Sequence, residues 1–269
     1  MHLPAGGGDV IRDVPESRVE ILSDRDELHA TWTRFAPFRD GASAHVHRTH
    51  CDLFYVLEGE LTVLVGPERT ETPLPPGTLV LAPPLVVHGF RNAADRDLRY
   101  LNFHAPGGGF APYMRGEQPG FDSEDPPPDG GRPASDGYVG TGAVLSDGPE
   151  LRVALLCDVE EIAIVEVRSA GGGAPPLHFH ERHTESFYVL DGELEVEVGG
   201  DELVAGPGSW VQVPPGVAHT FRPAGSGETR FLNVHSPNCG FGEFTRKLVA
   251  ARDDDERAAA RAGFDQKPA

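Results

Sequence analysis

Two stretches of the chain carry histidines and an acid at a spacing that suits one metal ion. The first reads H-x-H-x4-D-x6-G, through His45, His47, Asp52 and Gly59. The second reads H-x-H-x4-E-x6-G, through His178, His180, Glu185 and Gly192. A further histidine follows each after a glycine- and proline-rich turn. It is His88 beyond Gly77 and Pro83, and His219 beyond Gly208, Pro214 and Gly216. On an extended strand, alternate side chains share a face, so both histidines of H-x-H point the same way about 7 Å apart. A carboxylate from the next strand and a histidine from a distant one would complete a four-ligand set. Neutral imidazoles with one carboxylate suit a divalent first-row ion: iron, manganese, nickel, copper, cobalt or zinc. A lone histidine in a barrel is more often a hydrogen-bonded structural residue, but a matched set occurring twice is hard to explain so.

The elements that must position these residues are themselves repeated. HVHRTHCDLFYVLEGELTVLVG, from His45, aligns without a gap on HFHERHTESFYVLDGELEVEVG, from His178, with more than half the positions identical. RYLNFHAPGGGFAPYMR, from Arg99, likewise matches RFLNVHSPNCGFGEFTR, from Arg230. This is duplication of a domain rather than a short stacked repeat. Runs such as LTVLV, TLVLA, LEVEV and TRFLNV, separated by Gly and Pro turns, read as short strands. With 33 glycines and 25 prolines, the chain is expected to be all-β, a jelly roll or sandwich in each half. The expected boundaries are a first domain over 13–116, a Pro/Gly/acidic connector over 117–137 and a second domain over 138–269. The first dozen residues read as a strand-free flank. The C-terminal stretch, with Phe244, Leu248 and Val249 at helical spacing, predicts one or two short helices lying on the barrel.

Bulk properties narrow the partners. A formal charge of −19 disfavours nucleic acid and anionic membranes. No apolar run approaches the length of a membrane-spanning helix. The opening MHLPAGGGDVIRDVPE has neither a basic leader nor an apolar core, and three widely spaced cysteines do not suggest a disulfide framework. A cytoplasmic location is therefore expected.

The two motifs resemble those of the cupin superfamily, and the resemblance extends over both halves, so the chain looks like a bicupin. It implies two tandem double-stranded β-helix barrels of the jelly-roll kind. It also implies metal ligands at His45, His47, Asp52 and His88, and at His178, His180, Glu185 and His219. The second set matches the family's ligand pattern fully, and its only departure from the motif is Pro223 where the motif ends in Asn. The first keeps that Asn, Asn92, but carries Asp52 for the ligand Glu and Leu85 for a motif glycine, which implies a weaker or distorted site. By resemblance to quercetin dioxygenases, the expected activity is an oxygenase-type reaction on a small oxygenated or aromatic molecule, with Glu185 also the catalytic base. The alternatives are redox-neutral isomerisation, cyclisation or decarboxylation, and binding without catalysis. Oxalate decarboxylase chemistry is disfavoured because the sequence marks no inward arginine and no acidic lid. Cupins often pair through their sheets, which leaves open a homodimer or pairing of the two halves within one chain.

Other matched residues carry weaker expectations. His50 and His183 read as solvated turn residues, with proton transfer the alternative. His104 and His235, with Asn102 and Asn233, are expected either to support the ligands or to hydrogen-bond in the core. Phe54, Phe90, Phe187 and Phe221 are expected in the barrel interiors. Arg91 and Arg222 lie three residues past the last ligand, where alternation turns them away from it.

Overall fold

The computed structural model describes residues 1–171, 174–225 and 227–269. It consists of two compact units, Asp9–Thr141, and Met1–Gly8 together with Gly142–Ala269. Each is an all-antiparallel pair of sheets. In the first unit, a seven-stranded sheet runs Tyr138–Gly140, Leu79–Ala82, Cys51–Glu58, Leu98–Ala105, Leu28–Phe35, Ser17–Arg25 and Asp9–Val14 across its width. Facing residues come from a three-stranded sheet of Glu71–Leu74, Leu61–Val65 and His88–Arg91.

The second unit repeats the plan. Its seven-stranded sheet runs His2–Leu3, Trp210–Val213, Thr184–Asp191, Thr229–Ser236, Ala163–Ser169, Leu151–Asp158 and Ala143–Asp147. The smaller sheet holds Asp201–Ala205, Leu194–Val198, His219–Pro223, His178–Phe179 and Lys267–Pro268. No helix among the described residues is long and apolar enough to cross a membrane. No disulfide joins the three cysteines.

Alternation fixes what each strand buries. Leu194 and Val196 of LEVEV enter the core, while Glu195 and Glu197 stay at the surface side. Phe54 and Phe90 pack with Phe35, Val63 and Tyr100 in the first unit. Phe187 and Phe221 pack with Val211 and Phe231 in the second. The motif glycines Gly59 and Gly192 adopt φ of 84° and 70°. A Cβ at either would meet a backbone carbonyl oxygen, of Asp97 at 2.3 Å or Glu228 at 2.2 Å. Only glycine lets that turn close.

The C-terminal helices fall where the sequence marks them. α1 covers Phe110–Met114, α2 Phe241–Ala250 and α3 Asp254–Ala262. Asp253 caps α3 by accepting from the Glu256 N–H at 2.9 Å, and the Glu256 carboxylate accepts from the Arg252 N–H at 2.8 Å. The two contacts satisfy backbone N–H groups at the start of the helix.

The unit boundaries differ from those expected. The opening residues are not strand-free: His2–Leu3 pairs with Trp210–Val213, and Asp9–Val14 with Ser17–Arg25. The stretch 117–137 belongs to the first unit, where Glu124 bridges Val46 and Arg132 bridges Val86. Tyr138–Gly140, placed from sequence in the second half, extends the first unit's sheet beside Leu79–Ala82. Backbone pairing, invisible in a Pro/Gly-rich composition, decides these assignments.

Candidate metal centres in the two units

In each unit the motif residues converge. His45, His47, Asp52 and His88 offer ligand atoms that all lie within 4.8 Å of one another, as do those of His178, His180, Glu185 and His219. The strand register accounts for the meeting. His178 stands directly opposite His219, and His45 opposite His88. Glu185 lies across from His235, and Asp52 across from His104.

The two clusters differ in tightness. Around Glu185 Oε2 stand His219 Nε2 at 2.6 Å, His180 Nε2 at 2.8 Å and His178 Nε2 at 3.8 Å. Asp52 Oδ2, on a side chain one methylene shorter, is 3.2 Å from His88 Nε2 and 3.5 Å from His47 Nε2.

Every one of the six imidazoles turns Nδ1 to a backbone carbonyl. His45, His47 and His88 face the carbonyls of Ser43, Asp122 and Val86. His178, His180 and His219 face those of Pro176, Asp265 and Val217. A carbonyl only accepts, so Nδ1 carries the proton and Nε2 presents a lone pair inward. Those lone pairs face a carboxylate in a buried space, and the buried Nε2 of His47 has no hydrogen-bond partner. A cation between them would turn this opposition of acceptors into coordination. Three imidazole nitrogens and one carboxylate oxygen fit a divalent first-row ion. Burial alone would raise the carboxyls of Asp52 and Glu185. Instead His104 and His235, with the motif histidines, hold both well below the usual range. Burial, with His88 adjacent, pushes His45 down to about 4.

Behind each carboxylate runs a hydrogen-bonded chain. In the second unit Asn233 Nδ2 donates to Glu185 Oε1 at 2.8 Å, and His235 Nε2 lies 3.0 Å from Asn233 Oδ1. His183 Nε2 is 2.8 Å from His235 Nδ1, and His183 Nδ1 is 2.9 Å from Asp265 Oδ2. The first unit repeats it through Asn102, His104, His50 and Asp122. The Asn amide fixes the order: its nitrogen donates to the carboxylate, so its oxygen accepts from the imidazole. His50 and His183 are thus not solvated turn residues; both are buried, at 0% and 1% exposure. His104 and His235 take the supporting place, stacked at 3.9 Å on Phe110 and 3.5 Å on Phe241.

The metal-ligand motifs do not include Asp122 and Asp265. Each is the last residue of a Gly-Phe-Asp tripeptide, 120–122 and 263–265, and that recurrence was the available signal. Asp122 accepts from the N–H groups of Arg48 at 2.9 Å and Thr49 at 2.7 Å. Asp265 accepts from the Arg182 N–H at 2.9 Å. Phe121 and Phe264 lie over the histidines, 5.5 Å from His47 and 5.7 Å from His180. The tail of each unit therefore closes over its own cluster. Arg91 and Arg222 point outward to Glu71 and Glu195, as alternation requires.

The surroundings of the two clusters diverge. A cavity of about 330 Å³ in the first unit has His45, His47 and Asp52 in its wall. Ser17, Thr31, Thr33 and Tyr100 add polar groups to that wall, and so does Arg39, an inward arginine that the sequence did not reveal. Strand register puts Leu151, Val165, Val167 and Phe231 at the corresponding places in the second unit. There Val153, Leu155, Val165, Phe241 and Phe264 form a packed apolar cluster, joined by Phe244 and Val249 of α2. A separate hollow of about 420 Å³ on the second unit runs along Glu195, Glu202 and Arg222, and none of the motif histidines lines it.

A family profile described as "Cupin domain" matches residues 31–104 and again 165–235. Over 71 residues, 26% of this chain, the sequence is 37% identical to a quercetin 2,3-dioxygenase of Bacillus subtilis (strain 168). That match spans 20% of the relative's length. AerE from Microcystis aeruginosa superposes with a TM-score of 0.62 over 87% of this chain and 97% of its own, at 17% identity. Oxalate decarboxylase from Bacillus subtilis does so with a TM-score of 0.60 over 96% of this chain and 84% of its own, at 14% identity. At such identities the structural likeness is one of fold.

Proposed function

The chain belongs to the cupin-domain family, matched by each half in turn, and from that premise we propose a metal-dependent enzyme whose reaction site is the first unit's cavity. The observation that carries this reading is the cavity with His45, His47 and Asp52 in its wall, where Thr31, Thr33 and Tyr100 give polar lining and the second unit has Val165, Val167 and Phe231 at the corresponding places. His45, His47, Asp52 and His88 would hold one divalent ion, and His178, His180, Glu185 and His219 another. A bound ion would supply Lewis acidity and open coordination positions for an oxygenated substrate. The second ion then serves mainly to fasten its barrel.

The base assigned from sequence to Glu185 moves, in this reading, to Asp52. Its ionised carboxylate is fixed by Asn102 Nδ2 donating to Oδ1 at 2.5 Å, and substrate in the cavity comes up beside it. The aromatic wall of Phe35, Phe90 and Phe121 excludes water from the reacting end.

The leading reaction is oxygenation of a small oxygenated or aromatic molecule, in keeping with the partial likeness to a quercetin 2,3-dioxygenase. A redox-neutral reaction such as decarboxylation is the second reading. Arg39 favours it, because the cavity does contain the inward arginine whose absence had counted against that chemistry. Oxygen uptake by protein loaded with ferrous, manganese or nickel ions, offered flavonols and catechols, tests the first. Product formed under strict anaerobiosis supports the second. Asp52→Asn is expected to lower turnover about 100-fold or more, the scale of a lost general base. Glu185→Gln should lower it far less. The reverse order would place the reaction in the second unit.

A further inference from the structure

The first unit's cavity contains polar groups that its metal cluster does not use. Ser17, 1% exposed, has a buried hydroxyl oxygen with no hydrogen-bond partner. Arg39 has a buried Nε in the same condition, and it makes no ion pair among the described residues. Both line the cavity with Asp52, His45 and His47. A buried hydroxyl and guanidinium nitrogen without acceptors are costly unless something else satisfies them.

Arg39 is also held in place. Its Cζ lies 5.9 Å from the Phe35 ring centre. Its carbonyl accepts from the Asn92 N–H at 2.8 Å, while the Asn92 side chain donates to the carbonyls of Ala36 at 2.8 Å and Arg96 at 2.8 Å. Asn92 thus ties down the loop that carries Arg39; the corresponding residue in the second half is Pro223. Arg12, exposed and without an ion pair among the described residues, adds a second cation to the same lining. Asp40 also lines the cavity, but its backbone pairs with Arg91, whose positive charge lies close enough to be felt by it. In a chain of net charge −19, two unpaired arginines lining one hollow ask for an anion.

The remainder of the lining is aromatic. Phe35 and Phe90 stack at 6.1 Å between ring centres, and both face the cavity. Tyr100, Asp52 and Arg39 all stand in the wall of the same cavity, so the acid of the cluster and the arginine are parts of one space. A molecule that satisfies all three features has a carboxylate at one end, an aromatic body and a metal-binding oxygen at the other.

We propose that Arg39, with Ser17, forms a carboxylate-binding end of the first unit's cavity, and that the substrate is a small hydroxylated aromatic acid. This rests on the reading that His45, His47, Asp52 and His88 form that unit's metal site. A guanidinium recognises a carboxylate through paired, charge-assisted N–H donors, which a neutral amide cannot reproduce.

Zinc-loaded protein, titrated calorimetrically with caffeate and with its neutral carboxamide, provides the test. Wild type should bind caffeate on the order of 10-fold more tightly than the amide, the scale of one hydrogen-bonded charge pair. In Arg39→Gln that preference should fall to near unity, and Arg39→Lys should restore part of it. Zinc content and the circular dichroism of each variant establish that the barrel is intact. Equal affinity in wild type, an undiminished preference in Arg39→Gln, or binding of neither probe overturns the proposal. Failure of the underlying metal-site reading looks different: zinc content would be unchanged in Asp52→Ala, and amide binding would be indifferent to that substitution.

Discussion

The two units build the same centre and then surround it differently. The second has the longer carboxylate and draws Nε2 atoms to 2.6 Å and 2.8 Å of Glu185. The first has the shorter Asp52 and a looser set. Ranked by motif alone, the second would be the working site. Yet Thr31, Thr33 and Tyr100 line a cavity beside the first, where the second has the apolar Val165, Val167 and Phe231 at the matching places. Fidelity of ligands tells where a metal can sit; the lining tells where a substrate can reach it.

The contrast can be broken most forcefully at the helix that follows the last long strand. Phe241 is buried in the second unit's apolar cluster, whereas its counterpart Phe110 is half-buried at a cavity wall. Phe241→Ala should destabilise the second unit by about 3–5 kcal/mol, and Phe110→Ala the first by roughly 1–2 kcal/mol. Hydrogen exchange in Thr229–Ser236 and Leu98–Ala105 reports the two units separately. Equal losses would mean that the first unit is packed as densely as the second.

A smaller effect concerns the residues that close over each cluster. Asp265→Ala and Asp122→Ala each leave a buried histidine without its carboxylate, at a cost of about 1–3 kcal/mol. The same exchange measurement should show each loss confined to its own unit. Spread of either loss into the other unit would contradict two self-contained centres.

The smallest is a backbone difference. Cys239 sits at φ 51°, in the left-handed region, where the first unit has Gly108 at φ 61°. Cys239→Gly should be neutral or stabilising by up to about 1 kcal/mol. Gly108→Ala should destabilise, since a Cβ there would stand 2.4 Å from His50 Nδ1. Thermal unfolding of both variants measures the sign of each change.

Much of this was legible beforehand because it is written in short-range pattern. Alternating apolar residues, turn glycines and the H-x-H spacing locate the strands, and the repeat makes each half a check on the other. The α2–α3 region is readable from Phe244, Leu248 and Val249. What escaped lies where the repeat changes length. The stretch between the aligned Pro-x-x-Gly-Phe segments and the Gly-Phe-Asp tripeptides is longer in the second half, where α2 and α3 replace the short α1, so Asp122 and Asp265 fall out of register. Composition then made 117–137 look like a connector, although its Asp122 side chain and backbone carbonyl hold His50 and His47. Arg39 escaped for another reason: it stands in an irregular loop, where no periodicity says which way a side chain turns.

The claim that each unit holds its own ion in a cluster of three histidines and one acid is tested most directly by elemental analysis of metal-loaded protein. Wild type should carry one divalent ion per unit, and Asp52→Ala and Glu185→Ala should each lose the ion of the altered unit alone. A wild-type chain that takes up no ion, or a single substitution that empties both units, would contradict the account.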